Sequence, residues 1–160
     1  MERAAAARSN AVIAACALLA LAAGVLVYWS DRDPARSTLI PAAAMLAGSV
    51  GFGVLGQWLP SFVHSLAFGL LTAVALPPRF MPRAAACASW AVLNIAFESG
   101  QHPRVAAAWR TRFGDGWLGA YFERGTFDVG DIVAALLGAV VAIGVIVVSG
   151  STSRNSDEEA

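Results

Sequence analysis

The strongest constraint on this chain is a set of long apolar runs broken only by short polar stretches. Residues 11–29, AVIAACALLALAAGVLVYW, carry no charge, and as a helix they reach about 28 Å, enough to cross the hydrocarbon core of a bilayer. Tyr28 and Trp29 close the run with aromatic rings that suit the headgroup boundary. A second charge-free run covers 38–58, and Pro41 in its first turn is tolerated there. Gln57-Trp58-Leu59-Pro60-Ser61 reads as a tight reversal, because proline disfavours helix in the residue before it. A third span follows at 61–76, then the proline-rich loop PPRFMPR at 77–83, a fourth span at 84–99 and a fifth at 131–148.

The expectation is therefore an all-α, multi-span transmembrane helical bundle of about five spans. It forms a single domain over 1–149, with a polar, disordered tail at 150–160. The one long connection, 100–130, differs from the rest of the chain: Arg104, Arg110, Arg112 and Arg124 alternate with Trp109, Phe113, Trp117, Tyr121, Phe122 and Phe127. Val105, Trp109 and Phe113 recur at helical spacing, as do Trp117, Leu118, Tyr121 and Phe122, a pattern that predicts short amphipathic helices lying in the interface.

Composition agrees with the runs. Apolar residues make up 58% and charged residues 14%, against about 45–50% and about 25% in soluble domains, which excludes an ordinary water-soluble globule. Eleven acidic residues balance eleven basic ones, so nothing points to nucleic acid. Every basic residue is arginine, as a GC-rich genome or a preference for guanidinium chemistry would produce. Cys16 and Cys87 lie inside apolar runs as small hydrophobes and form neither a disulfide framework nor a zinc site. Ile13-Ala14-Ala15-Cys16 resembles a lipoprotein cleavage box, but the apolar run continues past it, so Cys16 is expected to be membrane-embedded and unmodified.

Ionisable residues within spans are costly and usually mark function. They are few here. His64 lies one turn into the third span, Glu98 and Gln101 at the end of the fourth, Asp128 and Asp131 at the start of the fifth. The short 77–83 loop makes the third and fourth spans antiparallel, which gathers these residues at one membrane face. Each has a plainer role as well: Asp128 or Asp131 as a helix N-cap, His64 bonded to a neighbouring carbonyl, Glu98 paired with a loop arginine. The five-span layout puts Arg3, Arg8, Arg104, Arg110, Arg112 and Arg124 on that face, and Arg32, Arg36, Arg79, Arg83 and Arg154 on the other. Six against five does not set the orientation.

Gly51-Phe52-Gly53-Val54-Leu55-Gly56 matches a dinucleotide fingerprint only by letter, since no strand precedes it. Small-residue stripes at Ala43/Ala47/Gly51, Ala44/Gly48/Phe52/Gly56 and Ala134/Gly138/Ala142 read as close helix contacts, within one chain or in a homo-oligomer. Trp90, in mid-span, reads as a packing residue.

From about Leu59 onward the chain resembles the VanZ-like family of small bacterial integral membrane proteins. The resemblance rests on His64 early in one span, Glu98-Ser99-Gly100-Gln101 ending the next, and Asp128-Val129-Gly130-Asp131 opening the last, with Gly138 beyond. Asn94 falls upstream of Glu98 in the same span. The Asp-Lys pair usual before the family's histidine is replaced by Ser61-Phe62-Val63, and Ala135 stands where asparagine is usual. The resemblance implies a multi-pass protein of the bacterial cytoplasmic membrane, acting in the cell envelope, with the polar cluster outside and the carboxyl tail in the cytoplasm.

Two classes of function fit these residues. In the first, His64, Asn94, Glu98, Gln101, Asp128, Asp131 and Arg124 line a polar pocket that binds the head of an amphipathic envelope ligand, a lipid-linked precursor or a glycopeptide, without a cofactor. In the second, the protein is a membrane-embedded hydrolase or transferase acting on a lipid phosphate. There His64 with Glu98 or Asp131 supplies acid–base chemistry or holds a divalent cation, although no tight metal motif is present. A structural assembly subunit is the remaining alternative.

Overall fold

In a computed structural model, residues 2–31, 52–114 and 116–158 are described. They form α1 (Glu2–Asp31), α2 (Gly53–Val63), a π-helical turn (His64–Phe68), α3 (Gly69–Ala75), α4 (Phe80–Gly100), α5 (Pro103–Phe113), α6 (Trp117–Arg124) and α7 (Val129–Glu158). Among the described residues, four segments are long and apolar enough to cross a membrane: Arg3–Tyr28, Leu55–Ala75, Phe80–Gly100 and Val129–Ser151. They mark the chain as an all-helical membrane protein. Of the span expected at 38–58, residues 38–51 lie outside the described residues.

The reversal expected at Gln57–Ser61 is absent. α2, the π-turn and α3 run on without a break from Gly53 to Ala75, with Pro60 inside the helix. Proline costs the helix one N–H donor, whereas a loop at membrane depth would strand several backbone groups with no water to satisfy them. The expected 77–83 loop is also shorter, since α4 already begins at Phe80. Pro82 then sits in the first turn, where no N–H is needed. At the other end α7 continues to Glu158, so residues 150–158 are helical where a disordered tail was expected. Once nucleated, a helix extends cheaply through residues that carry no strong stop signal.

Two contacts fix the direction of α1. Asn10 Oδ1 accepts from Arg83 Nη2 at 2.6 Å, and Gly24 faces Val63, whose Cγ1 would lie 2.9 Å from an added Cβ. α1 is therefore antiparallel to α2 and α3, and its first turns lie beside the start of α4. This places Arg3 and Arg8 at the Arg83 end, opposite the face where a five-span count puts them. Arg83, only 3% exposed, also donates from Nε to the Pro77 carbonyl at 3.2 Å and from Nη2 to the Leu76 carbonyl at 3.3 Å. It thereby fastens α1, the end of α3 and the start of α4 together.

Ile13 and Ala17 of α1, Leu70 and Ala73 of α3, Cys87 of α4, and Ala142 and Ile146 of α7 form the buried core. Small side chains dominate it, as expected where helices approach closely without a hydrophobic driving force. Ala134 and Ala142 of the α7 stripe are buried within the chain itself. The large apolar side chains instead face outward, for example Leu19 at 71% exposure and Val140 at 64%, which suits contact with lipid tails.

Candidate functional site

The site begins with the start of α7. Asp128 precedes the helix and caps it: its Oδ1 accepts the Gly130 N–H at 2.8 Å, relieving one of the N–H groups a helix start leaves unpaired. Its Oδ2 accepts from the Trp58 indole Nε1–H at 2.9 Å. One turn along, Asp131 Oδ1 accepts the Ser61 hydroxyl at 2.7 Å. Trp58 and Ser61 stand three residues apart on α2, as Asp128 and Asp131 do at the start of α7, so the two helices run parallel and meet rung for rung.

Glycine permits the approach. A Cβ on Gly130 would lie 2.1 Å from Trp58 Cε2, and one on Gly138 would lie 2.3 Å from the Phe62 carbonyl oxygen, beside the π-turn. α4 joins the seam from the other side. Glu98, buried, accepts the Asp128 main-chain N–H on Oε1 at 2.5 Å. Gln101 caps the end of α4 and fills the space over Gly125, where a Cβ would lie 2.2 Å from its Oε1.

Glu98, Gln101, Asp128 and Asp131 therefore come together at one end of the bundle, as their spacing predicts. Glu98, Asp128 and Asp131 are turned toward protein donors and hold α2, α4 and α7 in place, while Gln101 packs over Gly125. The Trp58 hydrogen bond, and after it the Gly130 N–H, hold the Asp128 carboxyl below the usual carboxylate range. A depressed value means that this contact stabilises the fold at neutral pH and is lost as the pH falls below about 4. Asp128→Asn is accordingly expected to unfold more readily than the parent in detergent at pH 7, with the difference narrowing as the pH falls below about 4. A difference that stays constant down to pH 3 would contradict the assignment.

His64 does not join the carboxylates. Among the described residues its ring makes no hydrogen bond, and it lies 5.6 Å from that of Phe68. Both residues come from the π-turn, a widened turn that often marks a working segment of a helix. With Trp90, Leu93, Asn94, Phe97 and Tyr121 they line an open groove of about 270 Å³. Phe68 and Trp90 stack at 5.1 Å, so Trp90 forms part of the groove wall as well as packing. Asn94 Nδ2 donates to Ser65 Oγ at 3.3 Å and to the Trp90 carbonyl at 2.9 Å, which leaves its Oδ1 without a donor among the described residues.

The expected connection helices are present as α5 and α6. The chain breaks between α4 and α5 just before Pro103, where His102 Nδ1 accepts the Arg104 N–H to cap α5. α6 brings Tyr121 against Phe97, ring centres 5.9 Å apart, at one end of the groove. Arg124 follows Tyr121 by three residues and is exposed, with no ion pair among the described residues, whereas Arg110 pairs with Glu123 at 2.9 Å. The weak metal set His64, Glu98 and Asp131 is not assembled: no group of three or more metal-ligating side chains is found among the described residues.

Sequence reasoning missed Trp58 and Ser61, taking both for part of a tight reversal. The signal that could have found them is their three-residue spacing, which copies that of Asp128 and Asp131. No protein-family model, curated protein or solved structure matches this chain.

Proposed function

We propose that this is a VanZ-like protein of the bacterial cytoplasmic membrane that holds an amphipathic envelope ligand, a lipid-linked precursor or a glycopeptide, in the His64–Asn94 groove. The observation that carries the reading is unused hydrogen-bonding capacity on an aromatic wall. The His64 ring and Asn94 Oδ1 have no partners among the described residues, yet they stand beside the stacked Phe68 and Trp90. Such a surface takes an apolar chain or a sugar along the rings and a polar group at the imidazole and carboxamide. Arg124, near the Tyr121 end, suits a phosphate on the ligand head.

The carboxylates play a different part from the one their chemistry first suggests. By locking α2 to α7 and α4 to the 125–128 segment, they set the spacing of the two helices that wall the groove. His64, the only described histidine near the site besides the helix-capping His102, has no carboxylate bonded to it. The ligand head then faces the outer side of the membrane, in the orientation the family resemblance implies.

Binding of a polyprenyl phosphate to protein in detergent, followed by quenching of tryptophan fluorescence, tests the reading. His64→Ala with Asn94→Leu is expected to weaken binding roughly tenfold or more, since each removes a hydrogen-bonding partner worth about 1 kcal/mol. Arg124→Gln is expected to weaken a phosphate-bearing ligand and spare an uncharged prenol. Unchanged affinity in the double variant at normal folding would refute the groove as the site.

A further inference from the structure

We propose that the opposite end of the bundle, around Arg83, is a binding surface for the headgroups of anionic phospholipids. Three observations meet there. First, Arg83 is a buried cation whose described partners are all neutral: the Asn10 side chain and the carbonyls of Leu76 and Pro77. Those oxygens satisfy its Nε and Nη2 donors but leave its charge uncancelled, and Nη1 has no acceptor among the described residues. A buried charge without a counter-charge is costly in a low-dielectric setting.

Second, exposed arginines surround that position. Arg79 immediately precedes α4, Arg8 lies two residues before Asn10, and Arg3 lies two turns outward on the Asn10 face of α1. Arg3, Arg8 and Arg79 are all exposed, and none makes an ion pair among the described residues. Third, the acids at this end lie farther out along their helices than Arg8, Arg79 and Arg83: Glu2 begins α1, two turns before Asn10, and Asp157 and Glu158 close α7 six or more residues past the end of its apolar span at Ser151. The groove end is different, because there Glu98, Asp128 and Asp131 stand at the ends of the spans themselves.

At the depth where a spanning helix begins, the bilayer itself presents phosphate oxygens. Guanidinium groups bind these bidentately, and a basic side chain near an anionic surface contributes about 1 kcal/mol. A phosphate held at Arg79, four residues before Arg83, would also help to offset its uncancelled charge. The surface is therefore matched to a negative lipid head and poorly matched to a neutral one.

The test reconstitutes the full chain in vesicles of equal phosphatidylglycerol and phosphatidylcholine, extracts it in mild detergent, and measures the ratio of the lipids that remain bound. Phosphatidylglycerol is expected to be enriched, and Arg8→Gln and Arg79→Gln each to lower the enrichment roughly fivefold. Arg104→Gln with Arg112→Gln, at the other end, is expected to leave it unchanged. Neither the Arg8 nor the Arg79 side chain bonds to any described residue, so both variants are expected to fold. Equal retention of the two lipids, an enrichment indifferent to Arg8 and Arg79, or an equal loss with Arg104 and Arg112 would overturn the proposal. Full displacement of phosphatidylglycerol by inorganic phosphate would overturn it too, by making the free ion the ligand.

Discussion

Gly138→Leu is expected to abolish the folded bundle, and Gly138→Ala to destabilise it by about 1–3 kcal/mol, the usual range for overpacking a tight contact. The cause is specific to this position. The nearest atom to an added Cβ is a main-chain oxygen, that of Phe62, at 2.3 Å, with Ser65 Cβ at 3.1 Å and Leu66 N at 3.2 Å. A side chain could rotate away, but a helix backbone cannot. α7 would have to move off α2, and the Ser61–Asp131 and Trp58–Asp128 hydrogen bonds lie on the same seam, about two and three turns back along α7. Gly144 provides the control, because no atom lies within 4 Å of the position its Cβ would take. Gly144→Ala is expected to stay within about 0.5 kcal/mol of the parent. Thermal unfolding of the three variants in one detergent measures both effects, and equal destabilisation by the two alanines would show that α2 and α7 do not pack as described.

Much of this seam was legible in the sequence, and what was not has a common cause. Glu98, Gln101, Asp128 and Asp131 could be placed together because a short connection after Leu76 forces two helices antiparallel, and that inference needs only chain geometry. The two amphipathic helices of 100–130 were legible because alternating arginines and aromatics have few other uses at a membrane surface. Pro60 misled, since the rule that proline ends a helix holds in water, where loop backbone is solvated, and weakens in a bilayer, where it is not.

That single misreading moved the boundary of the third span. The direction of α1, and with it the positions of Arg3 and Arg8, depends on contacts far apart in sequence, Asn10 with Arg83 and Gly24 with Val63. The separation of His64 from the carboxylates was hidden for a related reason. Placing residues at one end of a bundle does not say which way each side chain turns around its helix, and the π-turn changes that angle locally.

Arg83→Ala is expected to cost on the order of 3 kcal/mol, because it removes three hydrogen bonds made by a charged donor, each worth about 1.5–3 kcal/mol before the freed acceptors are partly rehydrated. The loss falls on three elements at once: α1 through Asn10, the end of α3 through Leu76, and the turn before α4 through Pro77. Arg83→Lys is expected to recover less than half of the stability, although it keeps the charge, since a single ammonium cannot reproduce the planar fork that reaches separate acceptors from Nε and Nη2. The partner variant sharpens the test. Asn10→Ala alone is expected to cost about 1 kcal/mol, while adding it to Arg83→Ala is expected to cost almost nothing further, because the acceptor has already lost its donor. Unfolding of the four proteins under one set of conditions completes the cycle. Additive losses would mean that Asn10 and Arg83 stabilise the protein separately, and the antiparallel placement of α1 against the start of α4 would then have lost its main polar contact.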